Sequence, residues 1–215
     1  AVWPGPGPAT YDAFATGRPG DCIGRCAVDF NAQIRAARVR SVFDRLPVTL
    51  GVTVIGAIVL AVVMDASGAS QAVWVWLALV LVLSAVRMGL VHLLRVSPGR
   101  LSPAAWEVAA TGGALASGVL WGFGAVMLDP GTLPPGPLVV HLLWVLVLGA
   151  MSAGVATVHA MHLPATLAFI VPAGLPMAIG QILMGWPAGV ARGGMVLVFL
   201  AALVATARRS ARSFG

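Results

Sequence analysis

Residues 130–191, PGTLPPGPLVVHLLWVLVLGAMSAGVATVHAMHLPATLAFIVPAGLPMAIGQILMGWPAGVA, run without a single Asp, Glu, Lys or Arg. A helix needs about 20 apolar residues to cross about 30 Å of hydrocarbon. This stretch is therefore too long for one membrane span and reads as two, divided by its Pro, Gly and His punctuation. Working outward with the sparse charges as rulers, the sequence predicts six transmembrane helices at 46–64, 72–94, 105–128, 138–158, 163–184 and 188–207. The connections Asp65–Gln71, Arg95–Ala104 and Asp129–Pro137 are short, and 159–162 and 185–187 are little more than turns. Connections this short make sequential spans antiparallel neighbours in a compact bundle. The expected fold is thus an all-α polytopic membrane helix bundle.

Composition leaves no soluble alternative. The chain of 215 residues is 59% apolar and 9% charged, with a mean hydropathy of +0.95. Soluble domains carry about 25% charged and about 45–50% apolar residues. Disorder, which goes with low hydrophobicity and high net charge, is excluded by the same figures. All 13 basic residues are Arg, against 7 acidic ones. They lie between apolar blocks rather than on a soluble basic face, so anionic lipid headgroups are the expected partner and nucleic acid is not.

The arginines also orient the bundle. Arg35, Arg38, Arg40, Arg45, Arg95, Arg100, Arg208, Arg209 and Arg212 fall on one side of a six-span topology, and only Arg192 on the other. Excess positive charge marks the cytoplasmic side, which predicts both termini inside. The Lys-free, Ala/Val/Gly/Leu-rich composition fits a GC-rich bacterial genome and so a bacterial inner membrane. Residues 1–30, rich in Pro and Gly, read as an irregular cytoplasmic arm and lack the pattern of a signal peptide. Residues 31–45 read as an amphipathic lead-in helix, with Ile34, Val39, Val42 and Phe43 able to lie on the membrane. Residues 46–207 form the membrane domain and 208–215 a basic tail.

Few residues within the spans can carry chemistry. Cys22 and Cys26 are spaced C-x3-C, which matches neither a zinc site nor a haem attachment motif. His92, His141, His159 and His162 are the candidate cofactor ligands, because imidazole is the usual membrane ligand for haem iron or a bacteriochlorophyll magnesium. Their positions at span ends favour histidines satisfied by headgroups or backbone, so no cofactor and no metal are expected. Arg87 falls inside the second span, and Glu107 begins the third on the same side. An Arg87–Glu107 ion pair is the expected arrangement, with snorkelling or a ligand site as alternatives.

Small residues recur at helix-packing spacing: Gly118 and Gly122 in the third span, Gly149 and Gly154 in the fourth, Gly189 and Gly193 in the sixth. They permit close helix approach, within the bundle or against other membrane subunits. Pro172 and Pro176 predict a kinked fifth span, and the tryptophans are expected to form interfacial belts. No Walker loop, HExxH, G-x-S-x-G or intramembrane acid is present. The expectation is therefore a non-catalytic protein and not an ion-coupled transporter.

The stretch LGAMSAGVATVHAMHLPATLAFIVPAGLPMAI at 148–179 resembles the membrane sensor region at the amino end of bacterial diguanylate cyclases and sensor histidine kinases. RVRSVFDRLPVTL at 38–50 and SGVLWGFGAVMLDP at 117–130 are similar to other landmarks of that family. The resemblance implies a multi-helix sensor fold whose last helix leads into a signalling domain. The closing residues RRSARSFG carry no cyclase or kinase. Two functions follow as expectations. One is an accessory or structural subunit docked to a larger photosynthetic or respiratory membrane complex. The other is a membrane sensory module that works through a separate or lost output domain.

Overall fold

The computed structural model describes residues 19–68, 71–97, 102–128, 138–158, 163–185 and 187–213; within these, side chains are described from 43 to 209 apart from 103, 138–142 and 156–158. The described residues form six helices and no strand: α1 (Pro19–Ala66), α2 (Ala72–Val96), α3 (Pro103–Met127), α4 (Leu138–Val158), α5 (Leu163–Leu183) and α6 (Ala188–Ser213). Five helical segments are long and apolar enough to cross a membrane: Phe43–Ala66, Ala72–Val96, Ala104–Met127, Leu163–Leu183 and Ala188–Arg209. In α4 the described side chains give a shorter apolar segment, Leu143–Val155.

The largest departure from the sequence reading is at the amino end. The arm expected to be irregular to residue 30 is helical from Pro19, and the lead-in at 31–45 is not a separate element. Both join the first span in one helix of 48 residues, with Pro47 inside it. Pro19 has the fixed φ that suits a first helical position, and no strong breaker intervenes before Pro47. The carbonyl of Arg45 accepts from Thr49 Oγ1 at 3.3 Å, and that of Thr49 from Thr53 Oγ1 at 2.8 Å.

Expected sequential packing holds for α1 with α2 and for α5 with α6, but α3 packs most closely on α5. The cause lies in Gly118, Gly122 and Pro172. A Cβ on Gly118 would strike the Phe169 carbonyl oxygen and come within 2.8 Å of Pro172 Cγ; one on Gly122 would strike the Pro172 carbonyl oxygen. Pro176 has no N–H, so the Pro172 carbonyl four residues earlier lacks its helical donor. Gly122 brings its Cα–H against that carbonyl, a weak contact of the kind that recurs between close helices. The proline that opens the α5 ladder and the glycine that approaches it are complementary. Gly189 and Gly193 serve α6 similarly, lying against the carbonyls of Gln181 and Ala178 on α5.

The core departs from the expected aromatic belts. Trp76, Trp121 and Trp144 are buried together, with ring centroids 5.0, 5.4 and 6.1 Å apart and edge-on geometry. Trp76 Nε1 donates to the Leu120 carbonyl at 3.0 Å, and Trp144 Nε1 to Met64 Sδ at 3.2 Å. Each indole thereby satisfies its N–H inside the bundle and has no need of an interface. Trp106 is also buried, edge-on to Phe43 at 5.5 Å. Among the described tryptophans only Trp74 keeps the expected exposed role, donating to Asp65 Oδ1 at 3.0 Å. Trp186, also expected at an interface, lies outside the described residues.

The packing predicts an asymmetric response to added methyl groups. Gly122→Val should destabilise the protein by at least the 1–3 kcal/mol typical of overpacking. Gly112→Ala, where nothing lies within 4 Å, should be neutral. Thermal melts of the two variants in the same detergent check this.

Candidate functional site

The residue with the most unusual placement is Arg87. It is 91% buried in the middle portion of α2, in a segment long and apolar enough to cross a membrane. Its Nη1 donates to Ser117 Oγ at 2.9 Å, and Ser117 Oγ donates in turn to the Gly113 carbonyl at 2.9 Å. The stem crosses α3 beside Gly113, whose missing side chain leaves the room: a Cβ there would come within 3.1 Å of Arg87 Nε.

This overturns the expected Arg87–Glu107 ion pair, and helix geometry supplies the reason. Side chains on a helix tilt toward its N-terminus. Arg87 on α2 is therefore aimed away from the end where α2 finishes and α3 begins. Ser117 lies ten residues beyond Glu107 on α3, about 15 Å along the axis at 1.5 Å per residue. Glu107 stays half-exposed near the start of α3. The same tilt opposes snorkelling, which would require the side chain to turn back toward the nearer interface. Among the described residues the guanidinium has no carboxylate partner.

Beside Arg87 lies a cavity of about 180 Å³. Val48, Thr49, Val52 and Thr53 of α1, Ala114 and Ser117 of α3, Ala150, Met151, Gly154 and Val155 of α4, and Phe169 of α5 line it with Arg87. Val48 and Val52 are exposed, as is Ala150 opposite them. The cavity thus opens sideways between α1 and α4. Those helices touch nearer their other ends, where Gly56 lies 3.7 Å from Val147 by its would-be Cβ and Met64 meets Trp144. They part toward the end where α1 enters the membrane domain. Phe169 joins the cavity to the α3–α5 contact, since its carbonyl is the one against Gly118.

The other sequence candidates scatter. His92 is exposed on α2. The side chain of His141 and all of His159 and His162 lie outside the described residues, as do the side chains of Cys22 and Cys26. Among the described residues no group of three or more His, Cys, Asp or Glu gathers. Gly118, Gly122, Gly189 and Gly193 are consumed by packing within the bundle. A Cβ on Gly149 would lie 3.9 Å from the Phe199 ring, while Gly154 has open space at its Cβ position and borders the cavity. Pro172 and Pro176 lie inside a continuous α5, Pro172 against Gly118. Sequence reasoning missed Ser117 and Thr53. A hydroxyl at mid-span is a signal worth pairing with any intramembrane arginine.

No known protein family, curated protein or solved structure matches this chain. The site must be read on its own chemistry. An intramembrane cation held without a counter-charge is costly, and in membranes such residues mark ligand or ion sites. The guanidinium retains donors beyond the one used on Ser117, in a planar fork suited to carboxylate or phosphate.

Two substitutions separate a structural from a ligand-binding arginine. Arg87→Met removes an uncompensated buried charge and should leave thermal stability unchanged or raised, as replacement of buried ionic groups by apolar ones often does. Ser117→Ala leaves the guanidinium without its hydrogen bond and should cost about 1–3 kcal/mol. Melting of both variants in one detergent gives the comparison.

Proposed function

We propose that this chain is a non-catalytic membrane sensory module that binds a ligand in the Arg87 cavity. The carrying observation is the buried guanidinium, unpaired by any described carboxylate, facing a cavity beside the proline-interrupted α5. α1 supplies four lining residues and runs unbroken from Pro19 to the far end of its span. A tilt imposed at Thr49 and Thr53 would be carried along that helix to its amino-terminal part, outside the membrane segment. The resemblance of residues 148–179 to bacterial sensor regions agrees with this reading. A signal would leave through an output domain or a partner protein.

The proposed topology has six spans. α4, at 21 residues, is about 31 Å long and matches the hydrocarbon thickness. An even number of spans places both termini on the arginine-rich side, taken here as the cytoplasmic side of a bacterial inner membrane. A second reading, an accessory subunit of a photosynthetic or respiratory complex, draws support from α2 and α6. Only 17% of each of their apolar windows is buried, against 33–44% for the windows of α1, α3 and α5. Migration as a stoichiometric complex with respiratory or photosynthetic subunits in mild detergent would favour it.

Two measurements test the proposal. Cys22 and Cys26, the chain's two cysteines, should react with an impermeant maleimide only from the cytoplasmic face. Ser213→Cys, beyond the last span, in a cysteine-free background should react only from that same face; labelling of Ser213→Cys from the opposite face removes the six-span topology. In nanodiscs, hydrogen exchange in α1 and α5 should change when a lipid extract replaces a single neutral lipid. Exchange that ignores bilayer composition would sink the sensory reading.

A further inference from the structure

We infer that the Arg87 cavity binds the anionic headgroup, phosphate or carboxylate, of a lipid-like amphiphile that enters sideways between α1 and α4. The inference rests on the reading of the cavity as a ligand site and names the ligand's chemical class. Three features of the site lead to it.

The first is charge. Arg87 is 91% buried and donates a single hydrogen bond, to Ser117, with no ion pair among the described residues. Ser117 is itself anchored to the Gly113 carbonyl, so the guanidinium is held in one place rather than free to follow water. A buried cation fixed in this way calls for an anion, and Arg binds carboxylate or phosphate through paired parallel hydrogen bonds. Thr53 Oγ1 uses its proton on the Thr49 carbonyl, which leaves its lone pairs as acceptors for a headgroup hydroxyl.

The second feature is access. The rim is made by Val48 and Val52, 73% and 59% exposed, with Ala150 and Gly154 opposite. Val48 and Val52 lie in a helix of membrane-crossing length and Ala150 and Gly154 in the apolar segment Leu143–Val155 of α4, so the mouth faces acyl chains and not water. A free inorganic anion would have to cross hydrocarbon to reach Arg87, whereas an amphiphile already resides there. Because α1 and α4 part toward the end near Phe43, entry is from the leaflet on that side.

The third feature is size. About 180 Å³ slightly exceeds the roughly 150 Å³ of an engineered cavity that takes up benzene. That volume holds a headgroup but not an acyl chain. The chain would remain outside, along the apolar faces of Val48 and Val52.

The test uses the full chain in nanodiscs of phosphatidylcholine doped with phosphatidylglycerol or oleate, read by native mass spectrometry. The wild type should retain one phosphatidylglycerol or oleate at about 10-fold or more over phosphatidylcholine, the discrimination that one charge-assisted hydrogen bond supports. Arg87→Gln should reduce that preference to near parity. Gly154→Leu fills open space at the mouth without touching the Arg87–Ser117 bond, and should also abolish it while the protein melts as the wild type does. Wild-type preference retained in both variants would overturn the inference, because the retained lipid would then be annular. Displacement of the amphiphile by inorganic phosphate would overturn it as well, assigning the site to a free anion. The two levels separate cleanly. Composition-dependent exchange without Arg87-dependent retention sinks this inference and leaves the sensory reading standing. Retention without any change in exchange does the reverse.

Discussion

The bundle depends on how closely α3 can approach α5. In lipid there is no hydrophobic gain from bringing two apolar helices together, so association rests on close packing and polar contacts. Gly118 and Gly122 let the α3 backbone reach the carbonyls of Phe169 and Pro172. Pro176 has deprived the second of these of its helical donor. A defect in one helix is thus covered by an absence of side chain in another. α6 is then laid on α5 through Gly189 and Gly193. With α5 serving as the centre of the packing, α1, α2 and α4 close around the tryptophan cluster at one end.

That arrangement is also what leaves the cavity. α1 and α4 meet at Met64–Trp144 and Gly56–Val147, and beyond those contacts the cavity lies between them. Ala150 and Gly154 are too small to fill the gap, and Val48 and Val52 point outward. Arg87 enters from the opposite wall because its helix runs in the sense that aims the side chain toward mid-membrane. The tilt of a Cα–Cβ bond therefore decides whether this arginine meets Glu107 or Ser117. It meets the neutral hydroxyl, and the charge is left for something else to balance. Burial without a carboxylate sets it apart from an arginine held only for structure.

Much of this was legible in the sequence. Charge spacing, with Pro and Gly punctuation in the charge-free stretch, located the apolar segments to within a few residues, because any Asp or Arg in hydrocarbon is costly enough to confine most charges to span ends. The 27 residues by which α1 precedes its expected start at residue 46 were not located. The Gly118/Gly122 and Gly189/Gly193 pairs were visible as close-approach sites, and Arg87 as the one cation well inside a span. Other features were not visible. The tryptophans near span ends have the same spacing whether they face lipid or core. Whether they are belts or a cluster depends on which face the neighbouring helices cover. The helical run from Pro19 was obscured by Gly20 and Gly24, whose weak propensity is a poor guide beside a long rigid span.

The sequence by itself determined that this is a bundle of apolar helices of membrane-crossing length, where the apolar segments lie and which residues could approach without side chains. Those properties follow from transfer free energies and backbone hydrogen bonding, which act on each segment alone. Tertiary structure decided the partner of Arg87, the burial of Trp76, Trp121 and Trp144, the preference of α3 for α5, and the cavity between α1 and α4. Each of these depends on the rotation and tilt of one helix relative to another. That relation is set by how whole surfaces interlock, and no single span encodes it.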